Sequence, residues 1–202
     1  MSTWINSIIK PAETFKAEKA KASLGKGMFN YAIINVIAGF LVGIAIAVFV
    51  SILPSTGPYA QILSMLKVLG IAAIIVMPIL FAILAIIGSL IGQGIFYIFA
   101  KLLKGQGTFV QQYYLTSLYV PILGIISFIV MLIPFIGTFI SFIVALFTLY
   151  LLTIALRETH NYSTGRAVLT WLIAAIAIFI ILLIIIVLAI MAFVIPMGIV
   201  GT

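Results

Sequence analysis

LRETHNYSTGRA, Leu156 to Ala167, is the stretch on which the reading of this chain turns. It holds the only His (His160), both Arg (Arg157 and Arg166) and one of the three Glu (Glu158). It is either reactive or a place where two apolar segments reverse in water. Its flanks favour the second reading. Phe109 to Leu156 carries no charge over 48 residues, and nothing after Arg166 is charged. Within the stretch, Glu158 and His160 stand two apart and face different ways on a helix. Ser163 has no third group to orient a His160 base. As a turn the residues fit. Arg157 suits the negative end of a helix dipole. Asn161 and Ser163-Thr164-Gly165 supply turn and capping chemistry. Arg166 snorkels at the start of the next span.

Composition supports that reading. The chain is 66% apolar and 6% charged, with a mean hydropathy of +1.47, whereas a soluble domain is about a quarter charged. Runs of about 20 apolar residues are long enough to cross a hydrocarbon core. The fold class expected is all-α, a polytopic bundle of five transmembrane helices preceded by an interfacial amphipathic segment. With no Cys, disulfides, zinc thiolates and thiol nucleophiles are excluded.

The domains expected are a basic leader over 1–27 and a membrane domain over 28–202. The first apolar run starts at Met28 and is too long for a signal-peptide core, so it reads as a retained span. Met28 to Leu53 crosses once, at about 1.5 Å per residue, and PSTGP (Pro54 to Pro58) ends it. Lys67 and Lys101 bracket 33 uncharged residues, too few for two spans with a turn. They read as one helix over 68–100, bent near Pro78. KLLKGQGT (Lys101 to Thr108) is a polar loop. Spans over 109–133 and 138–156 form a hairpin around Pro134 and Gly137. The last span covers 168–195 and ends at Pro196 and Gly198.

Five crossings put the termini on opposite faces. With the N-terminus cytoplasmic, the inner face holds Lys10, Lys16, Lys19, Lys21, Lys26, Lys101, Lys104, Arg157 and Arg166, and the outer face only Lys67. That matches the bias of Lys and Arg toward cytoplasmic loops. The net charge of +7 is then a property of topology and calls for no nucleic acid. In the leader, Trp4, Ile5, Ile8, Ile9, Ala12 and Phe15 recur at helical spacing, with Pro11 suited to open a second short helix. Such a segment lies in the interface plane, its lysines toward water or anionic headgroups.

The spans carry no ionisable group and the chain has no Asp, no H-E-x-x-H and no phosphate-binding Gly loop. No catalytic residue, metal site or cofactor is expected. Lys16, Lys19, Lys21, Lys101, Lys104, Arg157 and Arg166 are the candidate lipid- or partner-facing residues. Gly39, Gly43, Gly88 and Gly92 are spaced to let helices approach closely, within one chain or against a second copy. Asn30, Asn35 and Gln93 read as interhelical hydrogen-bond partners, and Tyr97, Tyr113, Tyr114, Tyr119 and Trp171 as interface anchors.

Several motifs then carry a resemblance. Pro11, Thr14 and Phe15 stand in a basic leader. GQGTF (Gly105 to Phe109) leads into a span containing YVPIL (Tyr119 to Leu123). IPFIG (Ile133 to Gly137) makes a turn, and ALRETHNYSTGRAV (Ala155 to Val168) closes the fourth span. Together they resemble the Yip domain, the Ypt/Rab-interacting membrane protein family, over nearly the whole chain. The resemblance implies five spans, a cytoplasmic N-terminus, no enzymatic activity and, for eukaryotic members, work in vesicle traffic with Rab GTPases. The short leader departs from the eukaryotic form and looks like a prokaryotic member of the plasma membrane, which argues against a small-GTPase partner. The function expected is a non-enzymatic membrane-organising adaptor whose partners are the bilayer, anionic lipid, and itself or another membrane protein. The alternative is a small-solute or lipid transporter with a site near the helices bent at Pro78 and Pro121.

The absence of native thiols makes the topology directly testable. Ser2→Cys should react with a membrane-impermeant maleimide only after the membrane is opened, and Thr202→Cys without opening it. Equal accessibility of both positions from one side would refute the odd number of crossings.

Overall fold

The computed structural model describes residues 2–53, 60–131, 133 and 135–194. The expected turn at Pro54–Pro58, and Pro134, Pro196 and Gly198, lie outside them. Among the described residues every regular element is helical. The leader forms α1 (Thr3–Ile9), α2 (Pro11–Glu18) and a 3₁₀ turn (Lys19–Lys21). Then follow α3 (Leu24–Ser51), α4 (Ala60–Leu102), α5 (Phe109–Ser117), α6 (Val120–Met131), α7 (Ile136–His160) and α8 (Thr164–Val194). Four of these, α3, α4, α7 and α8, are long and apolar enough to cross a membrane, and five spans result if α5 and α6 together make one. The chain is a multi-pass helical membrane protein.

The helices run past several expected bounds: α3 begins at Leu24 rather than residue 28, α7 runs to His160 rather than 156, and α8 begins at Thr164 rather than 168. Helix α4 begins at Ala60 rather than near residue 68, so Lys67 is inside it, and Pro78 sits within its length. The stretch expected as the third span comes as two helices, α5 and α6, which meet at a bend of 40°. The local cause is legible. Thr108 and Gln111 form a complete capping box that opens α5, with Gln111 N–H to Thr108 Oγ1 at 3.2 Å and Thr108 N–H to Gln111 Oε1 at 3.0 Å. Pro121 cannot donate into the preceding turn, so it ends one helix and opens the next.

Helices α3 and α4 pack most intimately. A Cβ on Gly39 would stand 2.6 Å from the Pro78 Cα, and one on Gly43 2.5 Å from the Ala73 carbonyl oxygen. The two backbones are in direct contact where Pro78 interrupts the hydrogen-bond ladder. Gly88 and Gly92 face open space within the chain. The two glycine pairs therefore differ within the chain: Gly39 and Gly43 meet the backbone of α4, and Gly88 and Gly92 meet no neighbour. A Cβ on Gly88 or Gly92 would have no neighbour within 4 Å, although Gln93 beside them reaches Tyr31 of α3.

The core is concentrated at the end of the bundle that carries the leader. One cluster joins Phe15 to Tyr114, Leu118, Tyr119, Leu151 and Ile154, and a second joins Ala100, Leu152, Leu156, Tyr162 and Ala167. Tyr113, Tyr114 and Tyr119 are thus buried rather than placed as interface anchors. The far end is loose. Every residue of α8 from Phe179 to Met191 is exposed. In lipid this carries no penalty, because helix association there rests on close packing and hydrogen bonds.

Gly39→Leu and Gly43→Leu should each lower the unfolding midpoint of the detergent-solubilised protein, with a cost of about 1–3 kcal/mol for overpacking. Gly88→Ala should be neutral or stabilising, by up to about 1 kcal/mol of helix propensity. Equal destabilisation by all three would contradict this division of the glycines.

Candidate functional site

The polar side chains of the bundle collect at the leader end, around the stretch whose sequence reads as a water-exposed turn. The turn itself is real. Asn161 adopts the left-handed conformation (φ 54°) that terminates α7, and Ser163 precedes α8. His160, however, is fully buried. Its ring stacks on Tyr162, with centroids 5.4 Å apart, and lies 6.0 Å from Tyr97. Helices α5 and α7 and the loop after α4 converge here, and that convergence overrides the polarity of the local sequence.

The loop after α4 explains the burial. Lys104 takes a positive φ of 64°, Lys104 N–H donates to the Lys101 carbonyl, and Gly105 N–H donates to the Ala100 carbonyl at 2.8 Å. This is a Schellman closure, with a lysine at the left-handed position that glycine usually occupies. It folds Gly105 and Gly107 flat against the end of α7. A Cβ at Gly105 would meet His160 Nδ1 at 2.6 Å, and one at Gly107 would strike the Thr159 carbonyl. Gln106 N–H donates to the His160 carbonyl at 3.1 Å, and Lys101 Nζ to the Gly105 carbonyl at 3.1 Å.

From His160 a hydrogen-bonded chain crosses four helices. His160 Nε2 meets Gln112 Oε1 at 2.8 Å, and Gln112 Nε2 donates to the Gln93 backbone oxygen at 2.8 Å and to Gln93 Oε1 at 3.1 Å. Gln93 Nε2 donates to the Tyr31 hydroxyl at 3.3 Å, and Tyr31 lies 3.1 Å from Thr116 Oγ1. Thr116 gives its proton to the Gln112 carbonyl at 2.8 Å, so Tyr31 is the donor to Thr116. The amide oxygen of Gln112 is an acceptor only, so the proton of His160 sits on Nε2. Among the described residues His160 Nδ1 is the one buried side-chain polar atom without a partner. The arrangement is structural in kind. It ties α3, α4, α5 and α7 together.

The leader docks on the same hub. Phe15 is fully buried in the α5–α7 groove, so α2 is part of the core and does not simply float at an interface. Trp4 Nε1 donates to Asn30 Oδ1 at 3.1 Å, and Asn30 Nδ2 donates to Ser117 Oγ at 2.9 Å. Asn35 bonds only the Tyr31 carbonyl of its own helix among the described contacts. Lys19 Nζ donates to the Glu158 carbonyl and to Asn161 Oδ1, both at 2.9 Å, satisfying the end of α7. Burial lowers the pKa of Lys19 and the Glu158 charge opposes that. Glu18 accepts from Tyr114 at 2.9 Å and from Lys21 at 2.8 Å. Burial pushes its carboxyl up, but those hydrogen bonds outweigh it and hold it below its usual value.

The expected basic residues all come to this end, in two groups. Lys19 is engaged in docking the leader, Lys21 in a bond to Glu18 within it, Lys101 in closing its loop, and Arg157 in a bond to Glu158 at 2.8 Å. Lys16, Lys104 and Arg166 are exposed. No three acid, His or Cys side chains among the described residues are grouped to hold a metal. Gln93, which the transporter alternative needs in a polar cavity, is buried and bonded to Gln112 and Tyr31. Ser127 lies in a separate groove between α6 and α7, with Ser141 and Thr148.

His160→Leu and Gln112→Leu should each destabilise the bundle by about 1–2 kcal/mol, since each orphans a buried partner. The double variant should cost less than the sum of the two. Strict additivity of the thermal midpoints would mean the two side chains are not coupled.

No curated protein and no solved structure matches the chain. The family model of the Yip1 domain matches residues 5–199, so it takes in the leader, the GQG loop and the buried end of α7 alike. On that match the chain belongs to the Yip1 domain family.

Proposed function

We propose that this protein is a non-enzymatic membrane adaptor whose leader end faces the cytoplasm and presents a basic surface to anionic lipid or to a partner protein. The observation that carries the reading is the segregation of charge. Nine of the ten cations and all three carboxylates gather at the leader end. Each carboxylate is paired, Glu13 with Lys10, Glu18 with Lys21 and Glu158 with Arg157. Lys16, Lys26, Lys104 and Arg166 are left exposed on a surface carrying a net six positive charges. Near an anionic leaflet each basic residue contributes about 1 kcal/mol. Ile5 and Ile9, one turn apart on α1 and both exposed, supply an apolar stripe suited to the headgroup region. A trafficking-type role, and assembly with a second copy or another membrane protein, accord with family membership. A small-GTPase partner has no support beyond the family name, and the bonded state of Gln93 gives the transporter reading none.

The protein in neutral-lipid nanodiscs should co-float with phosphatidylglycerol vesicles at low salt and lose that association as salt rises. Lys16→Glu, Lys26→Glu, Lys104→Glu and Arg166→Glu together should reduce it at least tenfold. Unchanged co-flotation of the quadruple variant would discard the basic-surface reading.

A further inference from the structure

Where α1 turns into α2, the leader leaves a cleft against the end of α7 and the start of α8. Its volume is about 380 Å³. We infer that this cleft binds one anionic phospholipid of the cytoplasmic leaflet, an assignment that rests on the orientation proposed above.

The cleft is graded along the direction a lipid takes. Its lining joins Lys10, Arg157 and Thr164 to Ile9, Ile154 and Tyr150, and along α7 Arg157 stands near the helix end with Ile154 and Tyr150 farther into the span. Arg157, Ile154 and Tyr150 are three and four residues apart on α7, so they share one face. From Arg157 to Tyr150 the helix descends about 10 Å, the depth from a headgroup phosphate to the first acyl carbons. Below Tyr150 the same face continues through Leu146 and Ile143, both exposed, so an acyl chain has an unbroken apolar track.

The polar groups at the top are free to take a phosphate. Arg157 spends Nε and Nη2 on Glu158 Oε1, and its Nη1 lies a long 3.5 Å from Thr164 Oγ1. A guanidinium has five N–H donors, and Glu158 holds it in a fixed orientation. Lys10 is 3.8 Å from Glu13, which also lines the cleft. Both side chains are well exposed, and such a pair contributes little and yields readily. The leader's docking contacts, through Trp4, Phe15, Glu18 and Lys19, lie elsewhere and leave this cleft unused. A soluble anion has no use for the Tyr150 and Ile9 wall. A phospholipid uses both ends.

Native mass spectrometry of the full chain in detergent, titrated with phosphatidylglycerol or phosphatidylcholine, tests this. The unaltered protein should retain one phosphatidylglycerol in preference to phosphatidylcholine. Lys10→Glu, at an exposed position that the fold does not use, and Arg157→Gln should each lower the retained fraction at least fivefold. Lys16→Ala with Lys104→Ala, which strips charge from the basic surface outside the cleft, should lower it less than twofold. Full retention by Lys10→Glu and Arg157→Gln would overturn the site. So would an equal loss in the Lys16/Lys104 variant, which would reduce the effect to general attraction. Retention of the lipid adduct with unchanged vesicle co-flotation of the quadruple variant would fell the basic-surface reading and leave the cleft standing.

Discussion

Lipid offers no hydrogen bonds, so a polar group placed among transmembrane helices must find its partner inside the protein. The chain from His160 through Gln112 and Gln93 to Tyr31 and Thr116 meets that requirement, and the architecture follows from it. Each donor finds an acceptor within the protein, and the members come from four helices far apart in sequence. The closed helix α4, the capped α5 and the terminated α7 are all brought to the same level by it. Beyond it, close approach is kept at the α3–α4 crossing at Gly39 and Gly43, at Gly124 against Ile34 and at Gly137 against the Val130 carbonyl.

The leader extends the same logic to the membrane surface. Phe15 fills a groove that α5 and α7 leave open, and Lys19 satisfies the carbonyl end of α7. A segment of seven and eight residues per helix has no stability of its own in water. It is helical because the bundle gives it a buried face. Its remaining cations, and the cleft beneath Lys10, are by-products of that docking that become available for lipid.

Much of this was readable from residues alone, for definable reasons. Long uncharged runs can only be membrane helices, and nine cations between or before them can only be gathered at one end if the runs alternate. Local breaks were harder. Pro121 was visible as a central proline, but whether a proline kinks or splits a helix depends on what packs beside it. His160 was placed in a water-exposed turn because its neighbours in sequence are polar, while its neighbours in space are Tyr97, Gly105 and Tyr162. The spacing of Gly105 and Gly107 held the only hint that something must approach that loop closely. Gly88 and Gly92 show the converse: the spacing matches Gly39 and Gly43, and only three-dimensional placement separates them.

The uneven grip along the helices has a mechanical consequence. One end is tightly packed, while Phe179 to Met191 of α8 are exposed. At about 46 Å for 31 residues, α8 is longer than the hydrocarbon core is thick and must incline. Its inclination is adjustable because Phe179 to Met191 are exposed rather than packed into the bundle. Thickening or thinning of the bilayer is therefore absorbed by the swing of the free helix ends, and the packed end beside the leader keeps its shape.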